Sequence, residues 1–282
     1  MRHKTALSLA VLFVLATVFA PAARQTDKGQ KFQPSVGQSG KDVIWVPTPE
    51  ELVTAMLDAA KVTAKDFVMD LGSGDGRIVI AAAKRGARAL GIEYNPDMVA
   101  LSKQNALDAG VTERAAFRQA DIFETDFSQA TVVTMYLLPD LNMRLRDKIL
   151  GLKPGTRIVS HSFSMDDWEA DQTINIEYRT AYLWIVPARA GGAWAWQGPA
   201  GPAELSLVQT FQKIEGTLKS GGREETIREA KLDGDRISFA VDEGGGAARE
   251  YTGRVQGDAI FGTVKGTGGT GAAWTAKRLK GK

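Results

Sequence analysis

The chain has 282 residues, room for one large domain or two small ones, and with 44% hydrophobic and 24% charged residues it is globular rather than disordered. A net charge of +2 without a block of lysine or arginine argues against nucleic acid as a main partner. The absence of cysteine excludes disulfides, thiolate nucleophiles and cysteine zinc sites, and with His3 and His161 as the two histidines no metal site is expected.

Arg2, His3 and Lys4 precede a fourteen-residue apolar run, Ala6 to Phe19, and Ala20-Pro-Ala-Ala23 follows. A basic start, a short apolar centre and small residues at the end predict a signal peptide over residues 1–23. The run is short for a membrane span, so no stable span is expected after cleavage, although an uncleaved N-terminal anchor is the alternative. The expected location is therefore outside the cytosol, in the periplasm or cell envelope. Residues 24–42 are rich in Gln, Gly, Ser and Lys and read as a flexible lead-in.

Between residues 43 and 188 helical and strand signals alternate. Pro49 opens a helix with Leu52, Val53, Met56 and Leu57 at helical spacing. A strand is predicted from Asp66 to Leu71, a small-residue helix from Ile78 to Arg85, and a second strand from Ala89 to Glu93. Asn95 and Pro96 read as the cap and first residue of a helix that stops at Gly110. Further strands are expected at Ala115 to Gln119, Thr131 to Leu137 and Arg157 to His161, with Leu141, Leu145 and Ile149 marking a helix. Ile174 to Tyr178 and Thr180 to Val186 form a closing antiparallel pair. This alternation predicts an α/β domain with a parallel sheet covered by helices on both faces. Ligands bind such sheets beyond the carboxyl ends of the strands, where Asp70, Glu93, Asp121, Tyr136 and His161 fall.

From residue 189 the pattern changes. Residues 189–203 are rich in glycine and proline and read as a linker. Residues 204–282 show short alternating runs separated by glycine turns and predict a small antiparallel all-β domain, too small to close a wide barrel.

The stretch Val68-Met-Asp-Leu-Gly-Ser-Gly-Asp-Gly-Arg77 carries the chemistry. A strand runs through Gly72, Gly74 and Gly76 into a helix, so bare backbone and free helical N–H groups meet a polar ligand. A dinucleotide site needs a small residue where Arg77 stands, and no Gly-Lys-Ser/Thr follows for a phosphate loop.

Asp70-x-Gly72-x-Gly74-x-Gly76 resembles the first motif of class I S-adenosylmethionine-dependent methyltransferases. The resemblance implies a Rossmann-like sheet over residues 43–188 and S-adenosylmethionine as cofactor. It places Asp70 and the backbone of Gly72, Ser73 and Gly74 at the methionine end, Glu93 on the ribose hydroxyls and Asp121 on the adenine amine, and counts Gly76 among the cofactor-binding residues. Trp45-Val-Pro-Thr-Pro49, Gly91-Ile-Glu-Tyr-Asn-Pro96, Tyr136-Leu-Leu-Pro139 and Ser160-His-Ser-Phe163 with Trp168 are similar to the FAM173-type protein-lysine methyltransferases and their bacterial relatives, which adds Thr48 to the cofactor contacts. The acceptor this implies is an amine, foremost a protein lysine. Tyr136 and His161 are the candidate catalytic residues, and the faces of Tyr136, Phe163 or Trp168 can hold a cationic amine. Trp45 and Trp168 otherwise read as apolar lids. Two alternatives stand beside this reading: a small-molecule amine as acceptor, and an exported, non-catalytic scaffold with a methyltransferase fold.

Overall fold

Helix α1 (Glu50–Ala59) follows Pro49 and buries Leu52, Val53, Met56 and Leu57, the apolar residues that share one helical face. In this computed structural model the described residues are 32–198, 201–244, 247–266 and 271–280, and the expected signal peptide lies outside them. Next come β1 (Phe67–Leu71), α2 (Arg77–Lys84) and β2 (Arg88–Glu93). Asn95 caps α3 (Pro96–Asp108), its side-chain oxygen accepting from the N–H of Asp97 and Met98. The rest of the sheet is β3 (Ala115–Gln119), β4 (Val132–Met135), α4 (Pro139–Leu150), β5 (Arg157–His161), β6 (Gln172–Ile176) and β7 (Arg179–Ile185).

The strands lie in the order β3-β2-β1-β4-β5-β7-β6. The first five are parallel, and β7 and β6 close the sheet antiparallel. Alternation divides the core between two faces. Val68, Val132, Val159 and Leu183 pack with α1, α2 and α3 on one. Met69, Leu71, Val133, Met135, Ile158 and Trp184 pack with Leu141, Leu145 and Ile149 of α4 on the other. The same alternation turns Asp70 and Thr134, which pair in register, to the same side of the sheet.

The second sheet starts earlier than its glycines suggest. Residues 192–198, expected to be linker, form β8 (Gly192–Gly198), and β9 begins at Gly201 and runs to Thr210. The reason is Ala193-Trp-Ala-Trp196: both tryptophans point inward and are buried. There follow β10 (Lys213–Ser220), β11 (Arg223–Thr226), β12 (Arg228–Asp233), β13 (Arg236–Gly244), β14 (Ala247–Gln256), β15 (Ala259–Lys265) and β16 (Ala272–Arg278). All pair antiparallel in the order β11-β10-β9-β8-β16-β15-β14-β13-β12. The sheet curls until the connection between its edge strands meets β10, with Ile227 N–H donating to the Gly216 carbonyl at 3.0 Å. Trp194, Trp196, Leu205, Phe239, Tyr251, Ile260 and Trp274 fill the interior as a separate core. Among the described residues, no helix is long and apolar enough to cross a membrane.

Candidate active site

The carboxyl ends of the parallel strands border a cavity of about 650 Å³. The glycine turn forms its floor. Gly74 takes a φ of 53°, and a β-carbon there would lie 2.7 Å from the Trp45 indole nitrogen. Glycine is thus required twice over, by backbone conformation and by the ring packed on it. At Gly76, φ is 84° and a β-carbon would lie 2.7 Å from the Phe117 ring. Gly76 is off the cavity wall and lets α2 approach the sheet.

Asp70 is buried at the end of β1 and accepts a hydrogen bond from Thr134 Oγ1 at 2.7 Å. Burial pushes its carboxyl up to about 7, and the charges of Glu93 and Asp75 push the same way, against the Thr134 hydrogen bond. Glu93 braces the turn. Its Oε2 accepts from Gly74 N–H and its Oε1 from Asn95 N–H, each at 2.9 Å. A carboxylate oxygen has two lone pairs, so both oxygens can still accept from a diol. Asp121 Oδ1 accepts from Phe123 N–H, and its Oδ2 is held by the ammonium of Lys41. The Lys41 hydrogen bond comes first in keeping this carboxyl below the usual range. An adenine amine at Asp121 would have to share that oxygen with Lys41 or displace it.

Lys41 belongs to a segment that the sequence suggested was only a flexible lead-in. Gly37 N–H donates to the Trp45 carbonyl and Trp45 N–H to Gln38, each at 2.9 Å, and residues 38–48 border the cavity. Arg77 ties this segment to the glycine turn, donating to the Thr48 carbonyl at 2.8 Å while paired with Asp75. Its role here is an anchor, beyond the obstacle it poses to a dinucleotide.

Beyond β1 the wall becomes aromatic. Tyr136, at the end of β4, stacks between His161 and Phe163, with ring centroids 3.8 and 6.0 Å away. Tyr136 and Phe163 border the cavity, whereas His161 lies behind them. The His161 Nδ1 is 3.0 Å from Thr48 Oγ1, both side chains being buried. Burial, aided by the charge of Arg179, lowers its pKa to about 4, so the imidazole is neutral at pH 7. From outside the cavity it contacts Thr48 and the Tyr136 ring. Trp168 is not a lid: it is fully buried between Trp184 and Phe211, away from the cavity.

The structure thus brings Thr48, Asp70, Gly72, Ser73, Gly74, Glu93, Asp121 and Tyr136 onto one cavity and sets Gly76 and His161 behind it. The adenosine-type acceptors stand over β2 and β3, Asp70 over β1, and the aromatic wall over β4 and β5. This set fits the implied cofactor: an amine acceptor, a diol acceptor and side-chain-free glycine backbone follow one another along the cleft, the N–H groups of Gly72, Ser73 and Gly74 being already bonded to Ile92 and Glu93. Ser73 Oγ is buried without a hydrogen-bond partner and faces Gly91, where a β-carbon would lie 2.5 Å from it, so Ser73 offers the cavity its backbone rather than its hydroxyl. Sequence reasoning missed Lys41 and Thr134. Of these, Thr134 left a signal, since it lies one strand from Asp70 at the matching position.

Residues 70–172 match the family model described as the ANTKMT methyltransferase domain. A protein-lysine N-methyltransferase of Saccharolobus islandicus is 44% identical over 151 residues, which cover 51% of this chain and 94% of that protein. This chain belongs to the protein-lysine N-methyltransferase family. The adenine nucleotide translocase lysine N-methyltransferase of mouse is 36% identical over 36% of this chain, which spans 45% of that relative's length. Among solved structures, an RNA methyltransferase from Salinibacter ruber in complex with S-adenosyl-L-homocysteine is 50% identical, with a TM-score of 0.50, over 51% of this chain and 95% of that one. The family model ends at residue 172, before the second sheet of this family member begins.

Proposed function

We propose that this chain uses S-adenosylmethionine to methylate the side-chain amine of a protein lysine. The observation that carries this reading is the succession along one cleft of Asp121, Glu93, the glycine turn and Asp70, ending at the Tyr136 and Phe163 rings. The cofactor supplies a methyl group already activated on a sulfonium. What remains for the protein is to bind, align and exclude water. Glu93 and the turn backbone fix the cofactor, with Asp70 facing the methionine end. Tyr136 and Phe163 offer faces to a cationic amine. Their apolar surroundings favour the neutral form of a lysine, the form that attacks, because burial disfavours its charge. His161 lies outside the cavity and does not meet the acceptor amine, so in this reading the proton leaves to water.

The archaeal and mouse relatives, both described as lysine methyltransferases, support this acceptor. The Salinibacter relative, described as an RNA methyltransferase, favours a second reading, RNA as acceptor. The near-neutral net charge of +2 speaks for protein. None of these relatives supports a small-molecule acceptor or a non-catalytic scaffold.

Titration of the chain lacking residues 1–23 with S-adenosylhomocysteine tests the cofactor claim directly; no measurable heat of binding would refute it. We also propose export, on the basic start and apolar run of residues 2–19. A reporter fused after residue 40 should be found outside the cytosol, and a cytosolic reporter would end that proposal. Export would separate the enzyme from a cofactor made in the cytosol, so the two tests belong together.

A further inference from the structure

Among the described residues, the hairpin between β9 and β10 joins the second sheet to the loop that follows β5. Phe211 and Gln212 join β9 to β10, and Phe211 holds a φ of 51°, a conformation rare for a bulky side chain. Such outliers persist where their surroundings over-determine them. Here the surroundings are the loop after β5. The Phe211 ring stacks on Trp168 with centroids 5.7 Å apart and planes 18° from parallel. Gln212 Oε1 accepts from Trp168 Nε1 at 2.9 Å, and its Nε2 donates to the Glu169 carbonyl at 2.8 Å. Gln209 fixes the root of the hairpin, donating to the Phe211 and Ala188 carbonyls at 2.7 and 2.9 Å.

The loop held in this way carries Phe163. Two of its non-glycine residues are left-handed, Ser162 at φ 63° and Asp166 at 55°. From the other side, the buried Asn142 of α4 places its Nδ2 3.2 Å from the carbonyls of Phe163 and Ser164. Its Oδ1 is left without a partner, so this amide keeps its place at a cost and grips the loop through its N–H groups alone. The loop is therefore gripped three times: by α4, by Trp184 of β7, whose Nε1 donates to the Trp168 carbonyl at 2.7 Å, and by the second sheet. The family model, ending at residue 172, includes the grip of α4 and neither of the others.

We propose that the Phe211–Gln212 hairpin is a positioning element for the acceptor wall. It seats Trp168 and thereby holds Phe163 against Tyr136, a role for the second sheet that rests on the acceptor side assigned above. Phe211→Ala and Gln212→Ala in the full chain test it. Hydrogen exchange should quicken about tenfold at the amides of Ser162 and Phe163, which bond to Thr180 and His161. The amides of Gly72 and Ser73, bonded to Ile92, should keep their rates, and S-adenosylhomocysteine affinity should hold. With labelled S-adenosylmethionine and protein extract of the source cells as acceptor, the KM for extract should rise several-fold while that for cofactor does not. Phe211→Tyr, which keeps the stack, should restore it. Unchanged exchange at Ser162 and Phe163, or equal losses for cofactor and acceptor, would overturn the proposal. A wild-type chain that binds S-adenosylhomocysteine yet labels no protein would refute the lysine reading instead, and the exchange rates would still decide the hairpin's role.

Discussion

Asp70 concentrates the chemistry of the site in one side chain. Its carboxyl is raised to about 7 in the fold from an ordinary 3.8, so ionisation is disfavoured in the folded state. Its contribution to stability is complete below pH 4 and is lost as the pH rises from about 4 through 7. Calorimetry should therefore show the melting temperature of Asp70→Asn gaining on that of the wild type across this window. The α-ammonium of the amino-acid end, which S-adenosylhomocysteine keeps, favours the ionised form, so its binding by the wild type should tighten between about pH 6 and 8 and stay flat in Asp70→Asn. Glu93→Gln leaves one of two backbone N–H groups, of Gly74 or Asn95, without its acceptor. Titration should show cofactor affinity falling by roughly tenfold, equivalent to about 1.4 kcal/mol.

Secondary elements were legible wherever one local signal dominated. β3 and β5 fall where strand signals place them, and Asn95 caps α3 as its sequence suggests. β8 was hidden because flanking glycines outweighed a tryptophan alternation only four residues long. The order of residues 37–48 was hidden because it comes from tertiary contacts with Arg77 and Asp121 rather than from their own composition. The site followed the same division. Asp70, Glu93 and Asp121 were legible because strand ends and motif spacing locate them. The Asn142 and Trp168 contacts depend on loop geometry that no periodicity encodes. Gly76 is the element-scale test, since it sets the distance between α2 and the sheet. Gly76→Ala should destabilise the fold by roughly 1–3 kcal/mol in thermal denaturation, with no direct loss of a cavity contact.

Among the described residues, two sheets have separate cores, and the methyltransferase cleft lies at the first. Truncating Trp274, buried in the second core, should cost about 3–5 kcal/mol of stability. If the cleft is independent of that core, Trp274→Ala should still bind S-adenosylhomocysteine within about twofold of wild type. The central claim is methyl transfer to protein lysine. Its most direct measurement is mass spectrometry of source-cell extract incubated with the purified chain and S-adenosylmethionine carrying a deuterated methyl group. The account predicts labelled methyl on lysine side chains, and less of it from Asp70→Asn or Glu93→Gln at cofactor below saturation. Label confined to RNA or small molecules, or none at all, would contradict it.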